Sequence, residues 1–161
     1  MLTIKTILHP TDYSEGANQA FQLACSLARD HGARLIVLHV SPPPAATIGG
    51  MAAVPPLPDE HEHPADLKKL LSMGSQFPTV ALEHRLIEGI PFEEILRVAE
   101  ETSCDLIVMG THGRTGLNRL VMGSVAEQVM RKASCPVLTV KLPVAHQPCE
   151  ACSKTHEPAT V

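Results

Sequence analysis

The residues best suited to chemistry form one glycine-rich segment, residues 110–124, with the sequence GTHGRTGLNRLVMGS. Glycine reaches positive φ and has no Cβ, so backbone N–H groups in such a segment can approach an anion closely. Gly123 and Ser124 precede an amphipathic stretch, and the first N–H groups of a helix lack intrahelical acceptors and carry the positive end of its dipole. The segment therefore predicts a phosphate-binding loop that leads into a helix.

Side chains in and beside this segment extend the predicted phosphate site. Arg114 offers a guanidinium group suited to phosphate oxygens, the Ser124 hydroxyl can donate, and Val125 follows in the helix. His112 is the one side chain of the segment that ordinarily titrates near neutrality, and we expect it to bind a phosphate or to have a structural role rather than to catalyse a reaction. A hydrolase would need a second acid–base group or a metal-holding carboxylate, and the segment contains neither.

The glycine spacing excludes two common phosphate-binding motifs. No glycine of the segment is followed by Lys, as a Walker A loop requires, and no G-x-G occurs, as the dinucleotide fingerprint requires. The remaining alternative is a connection in which glycine serves turn geometry alone.

A second candidate stretch, Pro10, Thr11 and Asp12, follows the first apolar strand. Phosphates repel a carboxylate, so Asp12 belongs at the nucleoside end of a nucleotide, where it can accept from a base amine or a ribose hydroxyl. The alternative is that Asp12 only caps the next helix.

Alternating strand and helix patterns must position these two stretches. Strands are predicted at residues 2–9, 33–40, 80–87, 105–109 and 136–141. Helices are predicted from the N-cap Ser14 to His31, over residues 65–73, from Pro91 and over residues 123–133. This order is typical of an α/β fold, here a three-layer doubly wound sandwich with a five-stranded parallel sheet. Ligands of such sheets bind beyond the carboxyl ends of the strands, where the winding reverses.

Gly110, Gly113, Gly123 and Ser124 fit the pattern G-x2-G-x9-G-[S/T], and residues 9–14 read HPTDYS. In both features the chain resembles the universal stress protein family, over residues 1–142. The resemblance implies the strand order 3-2-1-4-5, an ATP site, and a homodimer that pairs through the last strand. It also implies that Pro10, Thr11 and Asp12 line the base and ribose, and that Val40 offers main-chain groups to adenine. Met109 is expected beside the sugar or base, although a Met that ends a buried strand is as often core.

We therefore expect an ATP-binding regulatory module of the stress response, with Mg²⁺ carried by the phosphates. A cyclic nucleotide is not excluded by the spacing. Two other functions stay open: a slow ATP-hydrolysing or nucleotidyl-transferring enzyme that uses His112, and a partner-binding stress protein without nucleotide. The downstream protein partner is not identifiable from the sequence.

Composition limits the other classes of function. The 161 residues suit one domain, and a net charge of −4 without a basic cluster argues against nucleic acid. No apolar run reaches the length of a membrane span, and the start of the chain does not read as a signal peptide, so a cytoplasmic location is expected. A proline-rich stretch, residues 41–64, predicts a long mobile loop.

The tail, residues 143–161, is predicted to lie outside the domain as a flexible segment. It carries four metal-ligand types at tight spacing, His146, Cys149, Cys152 and His156. Zn²⁺ binding, redox use of the two cysteines and plain disorder all remain open. Three other cysteines, Cys25, Cys104 and Cys135, lie in apolar segments, where a buried thiol acts as a small hydrophobic group.

Overall fold

Five strands and four helices alternate along the part of the chain that the computed structural model describes, residues 3–41, 62–111 and 123–141. The strands are β1 (Thr6–Pro10), β2 (Arg34–Ser41), β3 (Ala81–Glu88), β4 (Leu106–Gly110) and β5 (Val137–Val140). The helices are α1 (Glu15–His31), α2 (Glu62–Ser72), α3 (Pro91–Glu101) and α4 (Ser124–Lys132). Within the described ranges, no helix combines the length and the apolar character needed to cross a membrane.

All strand pairs are parallel, and the sheet has the order β3-β2-β1-β4-β5. The predicted α/β fold and the predicted strand order are confirmed. The winding reverses between β1 and β4, so the connections that leave these two strands diverge and open a crevice at their carboxyl ends.

Helices cover both faces of the sheet and bury two apolar clusters. On one face, Phe21 of α1 and Leu70 of α2 pack on inward side chains of β1, β2 and β4. On the other face, Val98 of α3 and Val129 of α4 do the same. Six consecutive residues of β2 are buried, which explains why its sequence reads as an unbroken apolar run.

Local signals set the ends of α1 as predicted. The Ser14 hydroxyl accepts from the N–H of Ala17 at 3.2 Å and caps the first turn. Gly32 ends the helix in the left-handed region at φ 63°, and its N–H contributes to the cap.

Two other boundaries differ from the prediction. Helix α2 begins at Glu62, so the predicted loop to residue 64 overlaps its first turn, where Pro64 removes no needed hydrogen bond. Strand β1 starts at Thr6 and includes Pro10.

Asp105 joins the entrances of the two central strands. Its carboxylate accepts from the backbone N–H groups of Lys5 and Thr6 at 2.8 and 2.9 Å. These two donors hold the pKa of Asp105 below its ordinary value. Its own N–H donates to the Thr6 carbonyl, so β1 and β4 are tied at the start of their pairing.

His9 ties the same two strands nearer their carboxyl ends. Its ring is fully buried, and Nδ1 donates to the Val108 carbonyl at 2.8 Å. Burial lowers the pKa of His9 from 6.5 to about 4, although the Val108 carbonyl and the Asp12 charge act in the opposite direction. His9 is therefore neutral at physiological pH.

The lowered pKa of His9 predicts a specific pH dependence of stability. Because the folded pKa lies below the unfolded value, the contribution is fully present above pH 6.5 and is lost as the pH falls toward 4. The expected loss of unfolding free energy between pH 7 and pH 4 is roughly 3 kcal/mol. Urea unfolding across this range measures it.

His9→Asn is the matched variant, because its amide N–H can occupy the place of Nδ1 and does not titrate. Its stability should change much less between pH 7 and pH 4.5 than that of the wild type. Equal slopes in the two proteins would show that His9 does not set this dependence. Asp105 also contributes to the unfolding free energy, but this contribution is lost mainly below about pH 4, so it can be separated from that of His9.

Candidate functional site

A cleft of about 200 Å³ opens at the carboxyl ends of β1, β2 and β4, where the winding reverses. Its walls come from these strand ends, from the first turn of α1 and from the amino-terminal parts of α3 and α4. The lining residues are Pro10, Thr11, Asp12, Ala17, Leu38, Val40, Pro91, Ile95, Met109, Gly110, Thr111, Gly123, Ser124, Val125 and Ala126.

The two predicted stretches meet in this cleft although about a hundred residues separate them. The structure places nine of the predicted site residues in its wall: Pro10, Thr11, Asp12, Val40, Met109, Gly110, Gly123, Ser124 and Val125. The other three, His112, Gly113 and Arg114, lie outside the described residues. Met109 is 5% exposed, so it belongs to both the core and the cleft wall.

The amino terminus of α4 forms one end of the cleft. Gly123 is its N-cap, and among the residues that the structure describes no side chain caps its first turn, in contrast to the Ser14 cap of α1. The Gly123 N–H donates to the Thr111 carbonyl at 2.8 Å, and the Thr111 N–H donates to Val140 at 3.0 Å. These bonds fix the start of α4 against the ends of β4 and β5. An uncapped helix start that opens on a cleft suits an anion.

Gly110 allows α1 to approach the end of β4. A Cβ on Gly110 would lie 2.9 Å from the carbonyl carbon of Gly16 and 3.1 Å from the nitrogen of Ala17. Both are backbone atoms of α1, which cannot rotate away. The structure thus gives Gly110 a packing role that the glycine spacing alone does not reveal.

The turn after β1 forms the other end of the cleft. Asp12 Oδ1 accepts from the N–H of Ser14, and Thr11 Oγ1 accepts from the N–H of Tyr13, both at 3.1 Å. Asp12 therefore fixes the turn that leads into the N-cap of α1, close to the capping role considered as an alternative, and it also stands in the cleft wall. The two roles are compatible because a carboxylate accepts several hydrogen bonds.

The end of β2 presents its backbone to the cleft. The Leu38 carbonyl accepts from Thr11 on the β1 side, whereas the Ser41 carbonyl accepts from Gly89 on the β3 side. Peptide groups alternate in direction along a strand, so those of Val40 point to the same side as those of Leu38. Strand β1 pairs with β2 only as far as Pro10 and Leu38. The peptide groups of Val40 are therefore directed toward the cleft.

Tyr13 and His39 support this turn, and neither was predicted from the sequence. Tyr13 has φ 63°, a strained value for a residue with a Cβ. Its ring lies 4.4 Å from that of His39, its hydroxyl donates to the Asp66 carbonyl at 3.0 Å, and Lys69 Nζ lies 4.3 Å from its ring centroid. Burial, with the charge of Asp66, raises the pKa of Tyr13 to about 12.

His39 fixes the backbone that precedes Asp12. Its Nδ1 donates to the Thr11 carbonyl at 2.7 Å, and its Nε2 lies 3.8 Å from Asp66 Oδ2 on α2. The signal in the sequence was a histidine inside an otherwise apolar strand, since a buried polar ring needs a partner.

No group of three or more His, Cys, Asp or Glu residues suited to a metal ion occurs in the described ranges. His146, Cys149, Cys152 and His156 lie outside these ranges, so zinc binding stays one of the three alternatives that the sequence leaves open for them.

Comparison with known proteins gives one consistent family. The family model described as "Universal stress protein family" matches residues 3–141. Universal stress protein MJ0531 of Methanocaldococcus jannaschii is 40% identical over 145 residues, which is 86% of this chain and 83% of the relative.

Solved structures of the same family share the fold. The universal stress protein UspA of Lactobacillus plantarum has a TM-score of 0.73 and 30% identity, over 85% of this chain and 97% of its own. The universal stress protein of Archaeoglobus fulgidus in complex with dAMP has a TM-score of 0.60 and 25% identity, over 88% and 100% of the two chains.

The close approach at Gly110 predicts a cost for a single methyl group. Gly110→Ala should lower the unfolding free energy by about 1–3 kcal/mol, because the backbone of α1 must move away from β4. Hydrogen exchange should show faster exchange in the first turn of α1. Gly32→Ala is the control. At Gly32 the φ of 63° strains an alanine backbone, but the added Cβ meets no atom within 4 Å, so this variant shows the effect of backbone strain without a steric contact. Unchanged protection of α1 in Gly110→Ala would contradict the packing role.

Proposed function

Because this chain belongs to the universal stress protein family, we propose that it is a regulatory module of the stress response that binds ATP in the cleft between β1 and β4. The observation that carries the proposal is the shape of the cleft itself. An uncapped helix amino terminus stands at one end, and a turn that bears a carboxylate stands at the other.

The phosphates belong at the start of α4. Backbone N–H groups there supply fixed positive dipoles, and the Ser124 hydroxyl adds a donor. His112, Gly113 and Arg114 would complete this end, with the Arg114 guanidinium on phosphate oxygens. Mg²⁺ would enter with the phosphates, because it commonly keeps substrate oxygens and water as ligands.

The nucleoside belongs between β2 and the turn after β1. The peptide groups of Val40 can pair with the edge of the base, and Asp12 can accept from a ribose hydroxyl or a base amine. Apolar side chains such as Ile95 and Met109 supply contact area for the planar ring. The dAMP complex of the Archaeoglobus fulgidus relative supports an adenine nucleotide as the class of ligand.

Binding without rapid turnover fits the chemistry of the cleft. His9 lies on β1, one residue before the cleft wall begins at Pro10. Because its ring is buried and bonded to the Val108 carbonyl, it cannot exchange a proton with a ligand. The enzyme alternative therefore rests on His112. Phosphate release under steady-state conditions separates the two: turnover that vanishes in His112→Ala with ATP affinity intact would favour the enzyme.

We also propose a homodimer that forms through β5. This strand is an edge of the sheet, and Leu138 on it is 37% exposed. Pairing with a second copy would satisfy edge backbone groups and cover this side chain. Sedimentation of the wild type as a dimer and of Leu138→Lys as a monomer would support the interface, whereas a monomeric wild type would exclude it.

An isosteric change that removes the negative charge of Asp12 tests the nucleoside end. Asp12→Asn keeps an oxygen for the Ser14 N–H but replaces the other carboxylate oxygen by a donor. We expect ATP affinity to fall by a factor of about 5–150, the effect of losing a buried hydrogen-bond partner worth about 1–3 kcal/mol. Titration calorimetry with ATP, ADP, AMP, cyclic AMP and GTP measures it.

Asp30→Asn is the matched control, because Asp30 lies exposed near the end of α1 and pairs with Arg29. It should bind like the wild type. If Asp12→Asn also binds like the wild type, the proposed place of the nucleoside is wrong.

A larger side chain at Gly113 tests the phosphate end. Gly113→Val should lower ATP affinity by at least about tenfold, because a branched side chain keeps backbone N–H groups from the phosphates. Adenosine, which has no phosphate, should bind both proteins equally. Equal loss of adenosine and ATP binding would point to general damage, and no loss of either would reject the phosphate loop.

A further inference from the structure

Two thiols lie in contact at the end of the sheet opposite to the cleft. Cys104 precedes β4 and Cys135 precedes β5, and their Sγ atoms are 3.4 Å apart. From the sequence alone, both are expected to act as small hydrophobic groups. The structure adds a specific sulfur neighbour, which neither residue reveals by its own position in the chain.

The backbone around the two cysteines suits a covalent link. Strands β4 and β5 are parallel neighbours with Ile107 opposite Val137, and the Ile107 N–H donates to the Pro136 carbonyl at 3.0 Å. Neighbouring strands lie about 4.8 Å apart, so the segments that lead into β4 and β5 run close together, and the contact of the two sulfurs places the cysteines within reach of a disulfide. Both side chains pack in the same apolar cluster, so rotation of the side chains can close the remaining gap between the sulfurs.

The two thiols differ in access to solvent. Cys104 is 7% exposed, and burial together with its bond to Cys135 raises its pKa to about 12. Cys135 is only partly buried, so it is the sulfur that a reagent in solution can reach first. An accessible thiol with a buried neighbour is the arrangement of an attacking and a resolving cysteine.

We propose that Cys104 and Cys135 form a reversible regulatory disulfide by exchange with a small-molecule disulfide. The Cys135 thiolate attacks one sulfur of the small disulfide, forms a mixed disulfide and releases one small thiolate. Cys104 then attacks the sulfur of Cys135, gives up its proton and releases the second small thiol. Two protein thiols are oxidised to one disulfide, and one small disulfide is reduced to two thiols.

The mixed disulfide removes an obstacle to the second step. Bonding and charge at Cys135 are among the causes that raise the pKa of Cys104, after burial. A mixed disulfide at Cys135 carries no charge on sulfur, so this part of the effect disappears when the first step is complete. The order of attack follows from the unequal burial.

The link would close a covalent loop over residues 104–135. The loop contains β4, α4 and the glycine-rich segment between them, so its closure lowers the entropy of the unfolded chain. A loop of this length should raise the melting temperature by roughly 5–15 °C. A disulfide is unusual in a reducing compartment, where such pairs are commonly redox-responsive rather than structural. The inference does not depend on nucleotide binding.

Peptide mapping of the full chain tests the pair directly. Folded protein is treated with oxidised glutathione, remaining thiols are alkylated, and trypsin separates the cysteines into peptides 6–29, 98–114, 133–141 and 142–154. We expect peptide 98–114 joined to peptide 133–141, reversal by dithiothreitol, and the rise in melting temperature. Alkylated Cys104 and Cys135, with a disulfide only within peptide 142–154, would overturn the proposal.

Single substitutions test the order of the steps. In the Cys104→Ser variant the reaction should stop once Cys135 carries one glutathione. In the Cys135→Ser variant Cys104 should remain unmodified. Cys25→Ser is the control, because Cys25 is fully buried in the other cluster and should not affect the link. Cys104→Ala replaces the serine variant if that one does not fold. Glutathione on Cys104 in Cys135→Ser at the wild-type rate would contradict the assigned order.

Discussion

The junction between β1 and β4 is the contact on which the rest of the structure depends. Ladder pairing joins Ile7 to Leu106 and Leu8 to Ile107, and polar bonds lie at both ends of this short register. Asp105 accepts from the N–H groups that lead into β1, while His9 donates to the Val108 carbonyl near the exit. Since the winding reverses here, every bond that fixes this junction also fixes the width of the cleft above it.

Two buried histidines hold neighbouring backbone segments together by hydrogen bonds. His9 holds β4 to β1, and His39 holds the carbonyl of Thr11. In each case Nδ1 donates to a backbone carbonyl, that of Val108 within β4 or that of Thr11 just after β1. Tyr13 lies between β1 and α1 with a strained φ of 63°, and the hydrogen bond of its hydroxyl to Asp66 of α2 helps to hold this backbone conformation. The position of Asp12 thus depends on residues that line no part of the cleft themselves.

The two ends of the sheet carry different chemistry on the same elements. Strand β4 ends at Gly110 in the cleft and begins just after Cys104, and α4 starts at the cleft and leads to Cys135. A covalent link at the amino ends of β4 and β5 would therefore constrain the elements that form the proposed phosphate end. This shared dependence offers a physical route by which redox state and nucleotide binding can influence each other.

The sequence by itself determined the α/β class, the order of the elements, the ends of α1 and the family, because periodicity, caps and glycine spacing are local patterns. It also selected the stretches around Asp12 and Gly123 that meet in one cleft. Only the tertiary structure decided that α2 begins at Glu62, that Gly110 faces the backbone of Gly16 and that Cys104 touches Cys135. These facts are contacts between residues far apart in the chain or the outcome of packing, and no local pattern encodes them.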